Sequence, residues 1–411
     1  MQNTSKHNRN FWQKTKRFLL LVLTIFALLN LIIFLTGNTY LYKGIQATYL
    51  QGKTGPGIYD SLTFHVREGT TSGKKHPWNE KNTLVSLSDS SIQRLKATKT
   101  TSFLIIQNGE IIHESYYGNH KRHTKSNSFS MAKSFIGLMI GIAIDRGEIK
   151  SFDEPIINYL PFRLPNDEAV TIRHLLGMSS GLDWTESGSN PLSDNAAAYY
   201  TTDLRKIMEN EAFIKEPGIH FNYASGNSQL LGVILKKATG KTPTEYFEKH
   251  VWRKINPANN LFWSLDQENG MEKTFCCVYA TSRDYARIGQ LILNQGSWGD
   301  TEVISNRNLT KLIQPFNPKY AHYGLHFWRF NHPITPAVYA RGILGQYIIA
   351  IPTLNVVMVR TGHERKKKYF IPKNKQNDFK FIEKNKYKEY HPLDLFEYFS
   401  ILDEVLKQAQ E

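Results

Sequence analysis

Ser130 and Lys133 lie three residues apart, in the run Ser130-Met131-Ala132-Lys133. In a helix, this spacing places both side chains on one face, about one turn apart. A serine hydroxyl needs a base to become a nucleophile, and a lysine whose pKa is lowered by burial can be that base. The helix predicted over 129–147 is otherwise apolar, where an unused charge is costly. We therefore predict a serine nucleophile with a lysine base, although Ser-x-x-Lys alone fits a simple helix N-cap better.

A second pair of candidate residues is Tyr223 and Ser225, in a predicted loop just before a helix predicted over 226–238. A tyrosine hydroxyl near cationic groups can move protons between a serine, a leaving group and water. In isolation, the pattern is better explained by a packed aromatic residue followed by an N-cap. Tyr223 is therefore a candidate only in combination with Ser130 and Lys133.

The third candidate segment is Ala340-Arg341-Gly342-Ile343, which leads into a predicted strand. Glycines on an edge strand let a substrate backbone approach closely, and the N–H groups of that strand can complete an oxyanion hole. Ordinary turn glycines explain the segment equally well when it is considered alone.

The elements that must position these residues follow from the hydrophobic pattern. Residues 101–118 predict a β-hairpin that turns at Asn108-Gly109. Residues 129–147 predict a buried central helix that is too short to cross a membrane. Further strands are predicted within 338–360. Strands before and after the helices indicate an antiparallel sheet that both ends of the chain complete, with an inserted helical region.

Taken in order, the motifs resemble those of a known family. They are Ser130-x-x-Lys133, Thr171–Leu176 with Ser180-Gly181-Leu182, Tyr223-x-Ser225, and Gly342-x-x-Gly345-Gln346 before a strand. This series resembles the serine β-lactamase-related family, which includes class C β-lactamases, family S12 peptidases and certain esterases. It covers roughly residues 100–360 and is closest to the 6-aminohexanoate-dimer hydrolase branch. The resemblance implies a β-lactamase/transpeptidase-like α/β (α+β) fold, an antiparallel sheet flanked by helices.

The resemblance also implies a role for each matching residue. Ser130 would be the nucleophile, Lys133 its activating base and Tyr223 the proton shuttle. Ser225 would be a supporting hydroxyl. The backbone N–H groups of Ser130 and Ile343 would form the oxyanion hole.

Four further residues are predicted to contact the substrate, which would be a small-molecule amide or ester. Trp184 and Tyr200 belong to the loop 182–200, which we expect to line the cleft. Gly342 and Gln346 flank Ile343 at the start of the last predicted strands. No cofactor and no metal are implied.

Two positions depart from the β-lactamase pattern. Ser225 stands where asparagine is usual, and Ala340 stands where the family has lysine or histidine. That cation would hold the carboxylate of a β-lactam or of a peptide C-terminus, so its loss weakens both substrate assignments. Arg341 is one residue away, and alternation along a strand would point it to the opposite face.

The segment 177–181, Gly-Met-Ser-Ser-Gly, matches the Gly-x-Ser-x-Gly pattern of a nucleophile elbow. An elbow requires a strand before the serine and a helix after it. Here a predicted helix precedes the segment and a loop follows, so Ser179 is not predicted to be a nucleophile.

The formal net charge of +15 is concentrated in two segments. Residues 1–17 carry +5 and residues 360–391 carry +7, which leaves +3 for the rest of the chain. A domain that reads nucleic acid would have a basic face on its folded core, so we predict no nucleic-acid partner.

Residues 18–36 contain no charge and are long enough to cross a bilayer as a helix. The preceding basic segment, 1–17, places the N-terminus in the cytoplasm, and the rest of the chain outside it. A cleaved signal peptide is the alternative, but a small-x-small cleavage site is poorly matched. The predicted organisation continues with an extension, 37–100, and a hydrolase domain, 101–411, in which 360–391 is a basic insertion.

The two cysteines, Cys276 and Cys277, are adjacent in sequence. Adjacent cysteines rarely satisfy disulfide geometry, and no histidine or cysteine lies around them at metal-ligand spacing. We expect two buried, unbonded residues.

The predicted function is that of a membrane-anchored serine hydrolase, which cleaves an amide or ester bond through an acyl-enzyme on Ser130. Two alternatives stay open. One is a sensor or binding module that is acylated without turnover, and the other is a D-alanyl-D-alanine carboxypeptidase-type cell-wall enzyme. The sequence leaves the oligomeric state open.

Overall fold

The computed structural model describes residues 2–73 and 77–410, with side chains from residue 12 onward. The α-helices are α1 (Gln2–Leu35), α2 (Tyr40–Ala47), α3 (Asp89–Ala97), α4 (Met131–Asp145), α5 (Ile172–Leu176), α6 (Asp194–Tyr200), α7 (Leu204–Glu209), α8 (Ser225–Thr239), α9 (Pro243–Phe247), α10 (Ser282–Leu293), α11 (Asn306–Ile313), α12 (Phe379–Asn385) and α13 (Leu393–Gln410). The strands are β1 (Val66–Gly69), β2 (Asn79–Glu80), β3 (Thr100–Gln107), β4 (Glu110–Tyr116), β5 (Ser126–Asn127), β6 (Leu261–Ser264), β7 (Val278–Ala280), β8 (Ser297–Trp298), β9 (Thr301–Glu302), β10 (Trp328–Phe330), β11 (Ala337–Gly342), β12 (Gln346–Ile351) and β13 (Val356–Gly362).

The larger sheet has seven strands in the order β10-β11-β12-β13-β3-β4-β2. Its neighbouring strands pair antiparallel, except that β2 lies parallel to β4. Because β13 pairs with β3, strands from both parts of the chain meet inside the sheet. The predicted sheet, with helices inserted between its halves, is confirmed, and so is the hairpin, whose turn residues Asn108 and Gly109 both have positive φ.

Both faces of this sheet are buried. Along β13, Val357 and Val359 belong to the core that holds α4 and α10, whereas Val356 and Met358 belong to the core that holds α13. Successive residues of a strand point to opposite faces, so a strand that is covered on both sides is apolar throughout. This explains why the last strands have a continuous apolar pattern in the sequence.

Helix α4 forms the centre of the first core. Every side chain from Met131 to Ala143 is buried, including that of Lys133. The helix contacts α8, α9 and α11 as well as β11 and β12. An apolar surface all around a short helix is what such a position requires.

The described residues of the segment predicted as an extension, 37–73 and 77–100, are packed into the domain. Strand β1 pairs with β6 in a second sheet of order β1-β6-β7-β5, and β2 pairs with β4 of the larger sheet. Helix α2 contacts α6, and α3 lies against β3. This segment therefore contributes a strand to each of the two larger sheets, and a third, two-stranded sheet is formed by β8 and β9.

Helix α1 is long and apolar enough, from Trp12 to Leu35, to cross a membrane. Its apolar side chains are exposed along this whole stretch, so the helix does not serve as a core element. A membrane anchor and a signal sequence both have this character.

Candidate active site

Ser130 lies between β5, a strand of the four-stranded sheet, and the central helix α4. Strand β5 ends at Asn127, whose side-chain oxygen accepts a hydrogen bond from the N–H of Phe129 at 2.9 Å. Phe129 has φ 43°, a left-handed conformation that is rare for a non-glycine residue and is often found at functional sites. Ser130 follows this turn as the residue before α4, with its side chain partly exposed in a cleft.

Lys133 lies directly behind Ser130. Its Nζ is 3.2 Å from Ser130 Oγ, 3.0 Å from Ser225 Oγ and 2.7 Å from the carbonyl oxygen of Phe275. Burial lowers the pKa of the Lys133 amine to about 8, and the nearby Glu186 carboxylate partly opposes this shift. A lysine with this pKa is partly uncharged near neutral pH, which is the form that accepts a proton.

Glu186 also belongs to the hydrogen-bonded group around Lys133, although the sequence did not predict this role. One carboxylate oxygen accepts from Ser225 Oγ at 2.8 Å, and the other accepts from the backbone N–H of Ser225 at 2.9 Å. Since Lys133 donates to the same hydroxyl, Ser225 bridges the amine and the carboxylate. Lys133, Ser225 and Glu186 form one hydrogen-bonded chain that ends at Ser130.

Trp184 supports Glu186 and does not line the cleft around Ser130. Its indole N–H donates to Glu186 at 2.8 Å, and the side chain is buried. It packs so closely under α8 that a Cβ at Gly226 would come within 2.6 Å of the ring. The structure therefore places Trp184 behind the site, in contact with a site residue.

Tyr223 lies next to Ser130 and Lys133. Its phenol interacts with the Ser130 side chain, while burial and the Glu186 carboxylate raise the pKa of the phenol well above its usual value. Lys133 Nζ is 5.2 Å from the centre of the Tyr223 ring. A phenol that stays protonated next to the nucleophile can donate a proton.

Trp328, which the sequence did not indicate, separates Tyr223 from Arg341. Its ring stacks on Tyr223 with centroids 5.6 Å apart, and the Arg341 guanidinium lies 3.4 Å from the Trp328 centroid. Ala340 belongs to the core on the α4 side, so Arg341 points away from it, as strand alternation predicts. The Trp328 ring thus lies between Arg341 and Tyr223, and the Arg341 charge also lowers the pKa of the Tyr223 phenol, against the larger effects of burial and Glu186.

The turn after β11 presents Ile343 to the cleft. Gly342 approaches the backbone so closely that a Cβ there would meet the Ser128 carbonyl oxygen at 2.2 Å. Gln346 is fully buried and donates to the carbonyl oxygens of Ile343 at 3.2 Å and Gly362 at 2.7 Å. Both residues hold the turn that carries Ile343, and neither lines the cleft.

The cleft brings several of the predicted site residues together. Ser130, Ser225, Ile343 and Tyr200 line it, and Lys133 and Tyr223 contact Ser130 from the side. The Tyr200 ring also packs on α2, where a Cβ at Gly44 would come within 3.4 Å of it. Within residues 2–73 and 77–410, we find no group of three or more His, Cys, Asp or Glu side chains that could hold a metal ion.

The two cysteines are buried, as expected, but the expectation that they are unbonded was wrong. Cys276 and Cys277 are joined in a disulfide, although their Cα atoms are only 3.7 Å apart. Cys277 has φ 75°, a left-handed conformation that sequence patterning does not reveal. Cys276 lines the cleft beside Phe275, the residue whose carbonyl oxygen accepts from Lys133.

The contact with Glu186 leads to a testable pH effect. With Lys133 as the base, kcat/KM should rise with pH as the Lys133 amine loses its proton, and it should level off above about pH 8. Because the Glu186 carboxylate raises the pKa of Lys133, Glu186→Gln should lower that pKa, and the rising limb of kcat/KM should move to lower pH by about one unit. Glu216→Gln, a change at an exposed glutamate, should leave the profile in place. A shift to higher pH in Glu186→Gln would contradict this arrangement.

A sequence model described as Beta-lactamase matches residues 89–375, more than half of the chain. The 6-aminohexanoate-dimer hydrolase of Paenarthrobacter ureafaciens is 26% identical over 224 residues, which cover 52% of this chain and 57% of that protein. Protein flp of Staphylococcus aureus strain MRSA252 is 30% identical over 186 residues, 42% of this chain and 36% of that protein. The chain thus spans about half or less of the length of these curated relatives.

A solved structure from Bacillus anthracis, described only provisionally as a 6-aminohexanoate-dimer hydrolase, has the same fold. It superposes with a TM-score of 0.67 at 17% identity, over 86% of this chain and 92% of that chain. At this identity the similarity concerns the fold alone.

Proposed function

This chain belongs to the beta-lactamase family, and from that premise we propose that it is a membrane-anchored serine hydrolase. It would cleave an amide or ester bond through an acyl-enzyme on Ser130. The observation that carries the proposal is the buried Lys133 amine, 3.2 Å from Ser130 Oγ and with a pKa of about 8. A nucleophile in contact with a base whose pKa is close to the working pH is the minimum that acyl transfer requires.

Acylation begins when Ser130 Oγ attacks the carbonyl carbon and gives its proton to the Lys133 amine. The negative charge that develops on the substrate oxygen is stabilised by the N–H groups of Ser130 and Ile343 and by the N-terminus of α4. Tyr223 then protonates the leaving alcohol or amine as the carbonyl–leaving-group bond breaks. The opposite pKa shifts of Lys133 and Tyr223 suit these two roles, because the Lys133 amine can accept a proton and the Tyr223 phenol carries the proton that it donates to the leaving group.

Deacylation uses the same groups in reverse. A water molecule gives a proton to the Tyr223 oxygen, which lost its own to the leaving group, while the water oxygen attacks the ester carbon of the acyl-enzyme. Ser130 Oγ leaves, takes back a proton from Lys133, and the carboxylic acid product departs. The Ser225–Glu186 pair keeps the Lys133 amine oriented towards Ser130 in both halves of the reaction.

Linear esters or amides fit this site better than β-lactams. Ala340 provides no cation at the position where the family holds a substrate carboxylate, and Arg341 stacks on Trp328 instead. The Paenarthrobacter ureafaciens relative is named as a hydrolase of the 6-aminohexanoate dimer, which is not a β-lactam by its name. For membrane attachment, α1 would be the anchor, with its basic residues on the cytoplasmic side and the hydrolase domain outside the cytoplasm.

Steady-state release of p-nitrophenol from p-nitrophenyl butyrate tests this proposal. We expect sustained turnover by the full-length protein in detergent, together with hydrolysis of linear amides and little labelling by fluorescent penicillin. A burst of about one equivalent without further release would instead support a sensor that is acylated once. Stable penicillin labelling would support a D-alanyl-D-alanine carboxypeptidase-type enzyme.

A further inference from the structure

The cleft around Ser130 opens next to the membrane-facing end of the protein. We infer that its substrate is a long-chain fatty ester or amide whose acyl chain enters the cleft from the membrane, an inference that rests on the proposed function. The observation behind it is that α2, the helix directly after the membrane-spanning helix, forms one wall of the cleft.

One face of α2 lines the cleft. Leu41, Gly44 and Ile45 contribute to the wall, and their spacing places them on a single side of the helix, while Thr48 lines the cleft directly after the helix ends. Only four residues, 36–39, separate α2 from α1. A chain of this length spans at most about 18 Å to the first residue of α2, so the wall cannot lie far from the end of α1.

Two hydrogen bonds fix α2 between the membrane helix and the cleft. The Tyr42 hydroxyl donates to the side-chain oxygen of Asn30 at 2.7 Å, and Asn30 lies inside α1, five residues before its end at Leu35. This places the Tyr42 hydroxyl about 7 Å inside the end of the apolar helix. On the other side, the Tyr40 hydroxyl donates to the carbonyl oxygen of Pro191, which lines the cleft.

The rim of the cleft on this side is apolar and exposed. We call Ile45, Tyr49, Leu50 and Leu192 the apolar rim; their side chains are between 43% and 76% exposed. Ile45 and Tyr49 also line the cleft, and Leu192 follows Pro191, which lines it too. Exposed apolar side chains beside a membrane helix, with tyrosines among them, are typical of a surface that inserts into the lipid interface.

The cleft runs from Ser130 to α2 and has apolar side chains at both ends. Phe129, Phe275 and Ile343 line it near Ser130, and Leu41 and Ile45 line it at the rim. An acyl chain from the lipid phase would contact these apolar groups at both ends of its path, beside the polar residues that also line the cleft.

The test compares two esters with the same leaving group. Full-length protein is reconstituted in vesicles of phosphatidylcholine and phosphatidylglycerol, and kcat/KM is measured for p-nitrophenyl palmitate and p-nitrophenyl butyrate. The double variant Leu50→Glu, Leu192→Glu should lower the palmitate-to-butyrate ratio about tenfold, since it places charge where the chain would enter; tenfold corresponds to about 1.4 kcal/mol. Neither residue lines the cleft.

Ile334→Glu is the matched control, because Ile334 is 77% exposed on the loop between β10 and β11. It should leave the ratio unchanged. An equal ratio in the rim variant and the control, with Ser130-dependent turnover of both esters, would overturn the inference and leave the proposed function intact. If neither ester is hydrolysed in a Ser130-dependent manner, the proposed function fails and the inference fails with it.

Discussion

Ser130→Ala is expected to lower kcat/KM for p-nitrophenyl butyrate by a factor on the order of 10⁴ or more, since removal of the nucleophile leaves no route to an acyl-enzyme. The change deletes a single oxygen from a partly exposed side chain, so the fold should be retained. Stopped-flow and steady-state release of p-nitrophenol would measure the loss. Mass spectrometry of the protein after a short reaction should show the acyl adduct on the unmodified chain and none on the variant.

Ser179→Ala is the control for this experiment. Ser179 occupies the serine position of the Gly-x-Ser-x-Gly segment, but its side chain is buried and its Oγ has no hydrogen-bond partner among the described residues. Removing an unpaired buried hydroxyl should be close to neutral for stability, and we expect activity within about twofold of the unchanged protein. Loss of activity in Ser179→Ala with retention in Ser130→Ala would assign the nucleophile to Ser179 and refute our interpretation.

Lys133→Met is expected to lower kcat/KM by about 10³-fold, within the range of general-base removal, because methionine keeps the length of the side chain and cannot accept the Ser130 proton. The rise in rate towards pH 8 should disappear as well, because Lys133 is the group that loses a proton there. The pH profile is therefore the decisive measurement. A variant that still showed a rising limb centred near pH 8 would show that another group is the base.

Lys273→Met is the matched control for the loss of a buried lysine. Lys273 is fully buried, and burial lowers the pKa of its amine well below the usual value, as for Lys133. Its Nζ donates to the Tyr199 carbonyl oxygen at 2.5 Å and lies 3.8 Å from the centre of the Phe64 ring, away from Ser130. The substitution should change thermal stability more than kcat/KM. Comparing melting temperatures of both variants separates catalysis from folding.

The parts of the site that follow local periodicity were predictable from the sequence. Ser130 and Lys133 face the same way because they are one helical turn apart, and the apolar pattern of 129–147 already indicated that the lysine would be buried. The hairpin at Asn108-Gly109 and the continuous apolar strand β13 were predictable for the same reason, since each depends on neighbouring residues alone. The order of the motifs then pointed to the family and to its fold.

What the sequence could not indicate are contacts between distant segments. Glu186 reaches Ser225 across 39 residues, and the Phe275 carbonyl oxygen reaches Lys133 across 142. No spacing rule links such pairs, because their distance depends on how α4, α8 and the loops around them pack. The same holds for Trp184, which supports Glu186, and for Gln346, which holds the Ile343 turn.

The sequence by itself therefore determined the nucleophile and base candidates, the apolar N-terminal helix and the order of the motifs, all of which depend on local pattern. The tertiary structure alone decided which carboxylate orients the amine, that adjacent cysteines are bonded, and that α2 joins the end of α1 to the cleft. These features depend on long-range packing and on unusual backbone angles, such as φ 75° at Cys277. Hydrophobic periodicity reports neither of them, because it reflects only the pattern of neighbouring residues.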